Sequence, residues 1–197
     1  MRLMLVGGGG REHALLQKLR ENPAIKEMYA LPGNGGMAEV ATCVPISATD
    51  VAGITAFARE KQIDFAVVAP DDPLCLGLVD RLGAAGVPAF GPDQKAACIE
   101  GSKVFSKGLM QKYNIPTAAH RVLETPQEAL AHLQACPYPL VLKADGLALG
   151  KGVFICRDRG EAEEALSRLM VEKTFGAAGE RVVAEEFLTG PEVSVLC

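Results

Sequence analysis

The chain has 197 residues, a length that fits one large domain or two small ones. Hydrophobic residues make up 49% of it, and the net charge of −4 comes without long runs of either sign. This balance argues against nucleic acid as a partner, although a local pocket can still be positive. There is no signal-peptide pattern and no apolar stretch long enough to span a bilayer, so we expect a cytoplasmic protein without membrane contact.

Six cysteines are spread along the chain without a CxxC pair, and most lie in apolar stretches. A zinc site or a disulfide framework is one interpretation. The distribution favours the other, which is buried thiols in a reducing compartment. The cysteines are Cys43, Cys75, Cys98, Cys136, Cys156 and Cys197.

The first hundred residues alternate between short apolar runs and helical patterns. Strands are predicted at 2–7, 26–31, 39–46, 64–70 and 87–92. Helices are predicted at 11–22, from a cap at Thr49 or Asp50 to about Lys61, and at 76–86. This alternation indicates an α/β fold in which helices cover both faces of a parallel sheet.

Four consecutive glycines, Gly7 to Gly10, stand between the first strand and the first helix. Glycine permits positive φ and close approach of a ligand to the backbone. The first N–H groups of a helix lack internal partners, so they can donate to a phosphate. Arg11 adds a planar positive group that suits phosphate. We therefore predict an anion site here, the alternative being a tight turn without a ligand.

The loops that follow the second and fourth strands identify the ligand class further. A dinucleotide fold would place an acidic residue after the second strand, but the chain has Pro32, Gly33 and Asn34 there. The fourth strand is followed by Asp71 and Asp72. Ligands of open α/β sheets bind at the carboxyl ends of strands, so the three loops should meet. A phosphate held by residues 8–11 and a sugar held by Asp71 fit this arrangement, and helix capping is the simpler role for the two aspartates.

The second half begins with two short predicted helices and a loop at 114–116, with Ser102 as a candidate cap of the second helix. Lys103 and Lys107 share a face of that helix, and by themselves they predict a solvated face. Residues 138–156 then read as a strand, a glycine-containing loop and a strand. Lys143 ends the first of these strands, and Lys151 lies in the loop. The loop fits either a flap that closes over a polyphosphate or a long hairpin with solvated lysines.

A helix is predicted from about 160 to 173, a strand at 181–188 and a further strand at 190–197. Glu185 and Glu186 are successive residues of the first of these strands, so their side chains point to opposite faces. Val183 and Phe187 share the face of Glu185. We therefore expect Glu185 to be buried beside a partner and Glu186 to face solvent.

Several segments, taken together, resemble the phosphoribosylamine–glycine ligase family of ATP-grasp enzymes. They are VGGGGREHAL, PGNGG, PDDPL, FGP, EGSKVFSKGLMQKYNIPTA, PLVLKADGLALGKGV and EEFLTGPEVS, in the expected order over nearly the whole chain. The resemblance implies an ATP-dependent ligase. Such an enzyme joins glycine to 5-phosphoribosylamine through a glycyl phosphate, and gives glycinamide ribonucleotide, ADP and phosphate in purine biosynthesis.

The same resemblance implies a domain organisation. An N-terminal Rossmann-like, parallel-sheet domain would span residues 1–101, and a helical linker would span 102–118. A small α+β ATP-grasp lobe with a glycine-rich flap would span 119–190, and residues 191–197 would begin a second lobe. In the family the chain continues beyond Cys197, so we expect a fragment that is inactive alone and comes from a monomeric enzyme. The ligands of Mg²⁺ or Mn²⁺ are expected beyond Cys197.

The resemblance also implies two sets of site residues. One departure from the family pattern is Asp71, which stands where a glutamate is usual. The residues implied for ATP are Lys107, Lys143, Asp145, Gly146, Gly150, Lys151, Gly152, Glu185, Glu186, Phe187, Leu188 and Glu192. Those implied for the phosphate and ribose of phosphoribosylamine are Gly8, Gly9, Gly10, Arg11, Glu12, Asn34, Gly35 and Asp71.

Two other functions remain open from the sequence. One is a different ATP-grasp carboxylate–amine ligase, and the other is a non-catalytic nucleotide-binding module. A nicotinamide oxidoreductase is disfavoured, because no acidic residue follows the second strand.

Overall fold

The computed structural model describes residues 1–148 and 150–195. The chain divides into two compact units, Met1–Cys98 and Ile99–Cys197. Each unit contains its own sheet and its own buried apolar side chains. None of the described helices is long and apolar enough to cross a membrane.

The first unit is built on a five-stranded parallel sheet with the order β3-β2-β1-β4-β5. Side chains of the central strand alternate between two apolar layers, with Met4 and Val6 in one and Leu3 and Leu5 in the other. Helices therefore cover both faces, as predicted. The strands are β1 (Arg2–Gly7), β2 (Glu27–Pro32), β3 (Thr42–Cys43), β4 (Phe65–Val68) and β5 (Ala89–Phe90), and the helices are α1 (Gly10–Leu19), α2 (Val51–Glu60), α3 (Asp71–Cys75) and α4 (Leu78–Ala84).

The third strand is much shorter than predicted. The prediction covered 39–46, but Met37–Glu39 forms a 3-10 turn and only Thr42–Cys43 pairs with β2. Val44 N still donates to Ala30 O at 2.9 Å, but Ile46 N turns back and donates to Val44 O at 2.7 Å. The chain therefore makes a tight turn around Pro45, and this turn ends the strand.

The second unit is built on a four-stranded antiparallel sheet with the order β6-β9-β7-β8. Leu140, Leu142 and Ala184 pack on one face against the apolar sides of α7 and α8. The elements are α5 (Gln94–Gly101), which begins in the first unit, α6 (Lys103–Lys112), β6 (His120–Leu123), α7 (Pro126–Ala135), β7 (Leu140–Ala144), β8 (Val153–Cys156), α8 (Arg159–Leu166) and β9 (Val182–Glu186).

Two predictions for the second unit need correction, and two of its elements were missed. The helix expected at about 160–173 ends as an α-helix at Leu166 and continues as a π turn over Ser167–Val171. The strand expected at 190–197 is not formed in residues 190–195, and residues 196 and 197 lie outside the described part. Neither β6 nor α7 was predicted.

The cysteines are less buried than expected. Among the described ones only Cys156 is fully buried, and burial, followed by the nearby charges of Glu161 and Asp158, raises the pKa of its thiol to about 11. The prediction of buried thiols is therefore wrong for the remaining described cysteines, which are half-buried: Cys43, Cys75, Cys98 and Cys136.

Candidate functional site

The glycine turn in the first unit joins β1 to α1, and its glycines differ in what requires them. Gly7 has φ +124°, a conformation that L side chains rarely adopt. A Cβ at Gly8 would lie 2.6 Å from Gly33 O, and one at Gly9 would lie 2.5 Å from Glu12 Oε2. A Cβ at Gly10 would meet nothing within 4 Å. The backbone therefore requires Gly7 and Gly8, whereas a side chain at Gly9 would displace the end of Glu12 and one at Gly10 would meet open space.

Glu12 closes the turn from inside the protein. Its buried carboxylate accepts from Gly9 N at 2.8 Å through Oε2 and from Arg11 Nε at 3.0 Å through Oε1. The Arg11 side chain is 62% exposed and also donates from Nη2 to Ala69 O at 3.0 Å. Glu12 thus takes two donors of the predicted anion site, Gly9 N and Arg11 Nε, while Nη2 of Arg11 links the turn to the loop after β4.

The three loops at the carboxyl end of the parallel sheet meet, as predicted. Asn34 Nδ2 donates to Gly8 O at 2.9 Å, and Asn34 Oδ1 accepts from Met37 N at 3.0 Å. Gly33 N donates to Gly7 O at 3.3 Å. Asn34 therefore fastens the second loop to the glycine turn, and the Arg11 contact brings in the third loop.

The remaining predicted residues of this unit lie on the same loops. Gly35 is exposed, and a Cβ on it would meet nothing within 4 Å. Asp71 is half-buried and is the first residue of α3, whose N-cap is Pro70. No side-chain hydrogen bond caps α3, so the structure does not use Asp71 or Asp72 as the cap. The sugar contact of Asp71 stays a prediction.

In the second unit, two lysines converge on Glu185. Lys143 Nζ on β7 donates to Glu185 Oε2 on β9 at 2.8 Å. Lys107 Nζ on α6 lies 3.2 Å from Glu185 Oε1 and donates to Thr117 Oγ1 at 2.7 Å. The Lys107 contact with Oε1 is an ion pair without hydrogen-bond geometry, so this buried oxygen accepts no hydrogen bond from the described residues.

The predicted solvated face of α6 is therefore wrong. Lys107 is buried, and Lys103 is half-buried with Nζ donating to Gly146 O at 3.2 Å. Burial lowers the pKa of Lys103, and the nearby charges of Asp145 and Glu100 oppose that shift. Lys103 was not among the predicted site residues. No local sequence signal could have identified it, because its ammonium contacts Gly146 O, which lies far along the chain.

Glycines shape the loop between β7 and β8. A Cβ at Gly146 would lie 2.9 Å from Ala178 Cα, and one at Gly152 would lie 2.7 Å from Ala148 Cβ. Gly150 has φ +73°, and Lys151 is exposed. β7 and β8 pair antiparallel, so the loop closes a hairpin, and its closure as a flap stays a prediction. Residue 149 lies outside the described part of the loop.

Asp145, at the start of this loop, is held entirely by its own unit. Its Oδ1 accepts from Ser102 Oγ at 2.8 Å and from Val104 N at 2.9 Å. Its Oδ2 accepts from Arg181 Nη2 at 2.6 Å and from Arg181 Nε at 3.1 Å. The carboxylate therefore ties α6, the loop and the residue before β9 together.

The residues after Glu185 are exposed. Glu186 points away from the lysines, as the alternation predicted, and its Oε1 accepts from Ala119 N at 2.8 Å. Phe187, Leu188 and Glu192 lie on the stretch after β9 that has no regular secondary structure. Their predicted contacts with ATP stay predictions.

The sheet face that carries Lys143 also presents apolar side chains. The register pairs Lys143 with Val153 and Val141 with Ile155, and directly opposed residues of antiparallel strands share a face. Val153 and Ile155 are exposed. This face therefore offers an apolar platform beside lysines, a combination that suits a flat base attached to phosphates. Within the described residues, no cluster of three or more histidine, cysteine or carboxylate side chains could hold a metal ion.

Comparison with known proteins covers the whole chain. The family model described as phosphoribosylglycinamide synthetase, N domain, matches residues 1–100, and that of its ATP-grasp (A) domain matches residues 101–197. A phosphoribosylamine–glycine ligase of Caldanaerobacter subterraneus subsp. tengcongensis is 46% identical over 99% of this chain and 47% of its own length. The chain thus spans about half the length of the curated relatives it matches.

Solved structures agree with this assignment. The crystal structure of phosphoribosylamine–glycine ligase from Thermotoga maritima superposes with a TM-score of 0.78 at 34% identity, covering 97% of this chain and 45% of that one. The biotin carboxylase domain of the Hydrogenobacter thermophilus 2-oxoglutarate carboxylase shares the fold, with a TM-score of 0.74 at 20% identity over 94% of this chain and 44% of that one. The chain therefore belongs to the phosphoribosylglycinamide synthetase family, as its N domain followed by its ATP-grasp (A) domain.

Proposed function

We propose that this chain forms part of an ATP-dependent ligase that joins glycine to 5-phosphoribosylamine and releases glycinamide ribonucleotide, ADP and phosphate. The proposal covers the activity of the whole enzyme. Relatives in this family are about twice as long as the chain. Its main support is the pair of lysines around the buried Glu185, set beside an apolar sheet face in a domain of the ATP-grasp family.

The second unit supplies the ATP side of this proposal. Lys143 and Lys103 are the cations best placed to face the phosphates, since both lie next to the glycine-containing loop. Val153 and Ile155 offer apolar contact for the adenine. Lys107 fits a phosphate contact less well than the resemblance implied, because its ammonium is buried between Thr117 and Glu185.

The first unit supplies the phosphoribosylamine side. The exposed fork of Arg11 and the N-terminus of α1 provide positive charge and N–H donors for the 5-phosphate. Gly10 leaves open space beside these donors, where the phosphate can approach the backbone. Asp71 is the candidate partner of the ribose hydroxyls.

The residue types suit acyl phosphate chemistry. Formation of a glycyl phosphate places negative charge on the transferring oxygens, and fixed lysines and backbone dipoles stabilise that charge without a covalent nucleophile. ATP-grasp proteins bind ATP together with Mg²⁺, which neutralises phosphate charge. The described residues offer no cluster that fits a metal ion, so no step is assigned to metal ligands of this chain.

The complete gene product should release ADP only when both glycine and phosphoribosylamine, generated in place, are present. Lys143→Met should raise the KM for ATP by about 10-fold or more, because a charge-assisted contact to phosphate is lost. Lys112→Met, an exposed lysine at the end of the same unit's α6, is the control and should leave that KM unchanged.

Two outcomes would contradict the proposal in different ways. ADP release that needs another acid or amine would indicate a different carboxylate–amine ligase. Absence of ATP binding and turnover in a folded gene product would indicate a module without this catalysis.

A further inference from the structure

Asp145 places a carboxylate inside a site that we assign to a polyphosphate, and this placement needs a physical explanation. A carboxylate beside the phosphates of ATP would repel them, most strongly where water is excluded. Asp145 is buried, and it is the first residue after β7, between Lys143 and the glycine-containing loop. An uncompensated charge at this position would weaken ATP binding.

The contacts of Asp145 compensate its charge and use its capacity to accept further hydrogen bonds. A carboxylate has about four acceptor positions, and Ser102, Val104 and the two nitrogens of Arg181 fill them. Both guanidinium nitrogens of Arg181 donate to the same oxygen, Oδ2, and such charge-assisted bonds are stronger than neutral ones. The charge of Asp145 is therefore compensated by Arg181, and its carboxylate has no free acceptor position for a ligand.

The backbone of Asp145 also bonds to α6 and to the residue before β9. Asp145 O accepts from Lys103 N at 3.0 Å, and Asp145 N donates to Arg181 O at 3.0 Å. The Lys103 ammonium in turn donates to Gly146 O at 3.2 Å. These bonds fix the first turn of α6 against the start of the loop, and the side chain of Lys103 is directed at the loop.

We propose that Asp145 is a positioning residue of the nucleotide site and that Arg181 is its dedicated counterion, a role that rests on the proposed binding of ATP. Asp145 holds the N-terminus of α6 so that Lys103 faces the loop. Arg181 compensates the charge of Asp145, so this carboxylate does not oppose the action of Lys103 and Lys143 on the phosphates. This role replaces the direct ATP contact that the family resemblance implied for Asp145.

The test uses the complete gene product with Arg181→Gln and with the double change Asp145→Asn plus Arg181→Gln. Arg181→Gln leaves the carboxylate charged, so the KM for ATP should rise by about 10-fold and the rise should shrink at high salt, which screens charges. The double variant removes both charges and lets an amide donate to an amide, so its KM should return to within about 3-fold of the wild type. The KM for glycine and the inhibition constant of adenosine, which has no phosphate, should not change.

Other results would overturn the proposal. Equal weakening of ATP and adenosine would mean that the pair supports the fold alone, and a folded double variant that stays as weak as Arg181→Gln would exclude charge cancellation. Should Arg181→Gln fail to fold, the double variant and Arg181→Lys, which keeps the charge, must both bind ATP nearly as the wild type does. A wild-type protein that does not bind ATP would reject the proposed function itself, a result that is visible before any variant is compared.

Discussion

Glu185 carries a buried negative charge whose two oxygens face different lysines. Oε2 accepts from Lys143, and Oε1 lies beside Lys107. A charged group that is removed from water needs an opposite charge beside it, and this holds for the carboxylate of Glu185 as well as for the lysines. Glu186, the next residue, is exposed on the other face of the strand. Glu186 is therefore a suitable control for Glu185, because the two glutamates differ mainly in burial.

Glu185→Gln should reduce the free energy of unfolding by about 3 kcal/mol, because the buried Lys107 loses its counterion. Glu186→Gln keeps an acceptor for Ala119 N and should change the free energy of unfolding by less than about 0.5 kcal/mol. Urea unfolding followed by circular dichroism measures both. Equal losses in the two variants would mean that the lysine cluster does not stabilise the fold.

The two faces of this strand could be predicted because the alternation of side chains is a local property of the chain. The environment of Lys103 and Lys107 could not, since it depends on Glu185 and Gly146, which are distant in sequence. A helix face with two lysines has the same pattern whether water or a carboxylate covers it. Pairing of distant charges is therefore the part of the site that sequence patterns miss.

At the scale of elements, the turn between β1 and α1 shows why four glycines occur together. Gly7 is required by its backbone conformation and Gly8 by the close approach of Gly33 O, and Gly9 leaves room for the carboxylate of Glu12. The prediction of an anion site rested on these glycines, the free N–H groups of α1 and Arg11. Of the four glycines, only Gly10 has open space where its side chain would be.

Gly8→Ala and Gly10→Ala should separate these two requirements in the complete gene product. Gly8→Ala should destabilise the protein by about 2 kcal/mol, because its Cβ would overlap the Gly33 carbonyl. Gly10→Ala should change stability by less than about 1 kcal/mol, yet raise the KM for phosphoribosylamine because the methyl group enters the ligand's space. Urea unfolding and initial rates measure the two effects, and an unchanged KM in Gly10→Ala would place the phosphate elsewhere.

Elements with strong local signals were predicted, and weak ones were not. β6 has four residues, of which only Val122 and Leu123 are aliphatic, so no alternation is visible. α7 begins after its cap Thr125, whose hydroxyl accepts from Glu128 N. A threonine followed three residues later by a glutamate is a typical helix start, and the sequence contains it. This signal could have revealed α7. To predict the shortened β3, the tight turn around Pro45 would have had to be recognised.

At the scale of the whole chain, the α/β class followed from the alternation of strands and helices, and the two family models confirm the recognised family. The antiparallel sheet of the second unit was harder to predict, since its strands pair out of chain order as β6-β9-β7-β8. The assignment of ligands to units is the part that stays open to experiment.

Hydrogen exchange of the complete gene product should separate the ligands by unit. ATP should slow exchange in residues 143–152 and 182–188, because bound phosphates and base protect the neighbouring amides. Ribose 5-phosphate, a stable substitute for phosphoribosylamine, should slow exchange in residues 7–12 and 33–36. Inorganic phosphate at the same concentration is the control for simple anion binding. Protection of the glycine turn by ATP alone would reverse the assignment.

The exposed face of β8 also affects how this protein behaves at high concentration. β8 is an edge strand, and Val153 and Ile155 project from it into solvent. An apolar edge strand is a template on which another copy of the chain can add a strand. Its four residues limit the length of any such pairing, and the flanking charges of Lys151 and Arg157 repel a second positive edge. We therefore expect these two charges to disfavour aggregation, in addition to any part that Lys151 has in binding ATP.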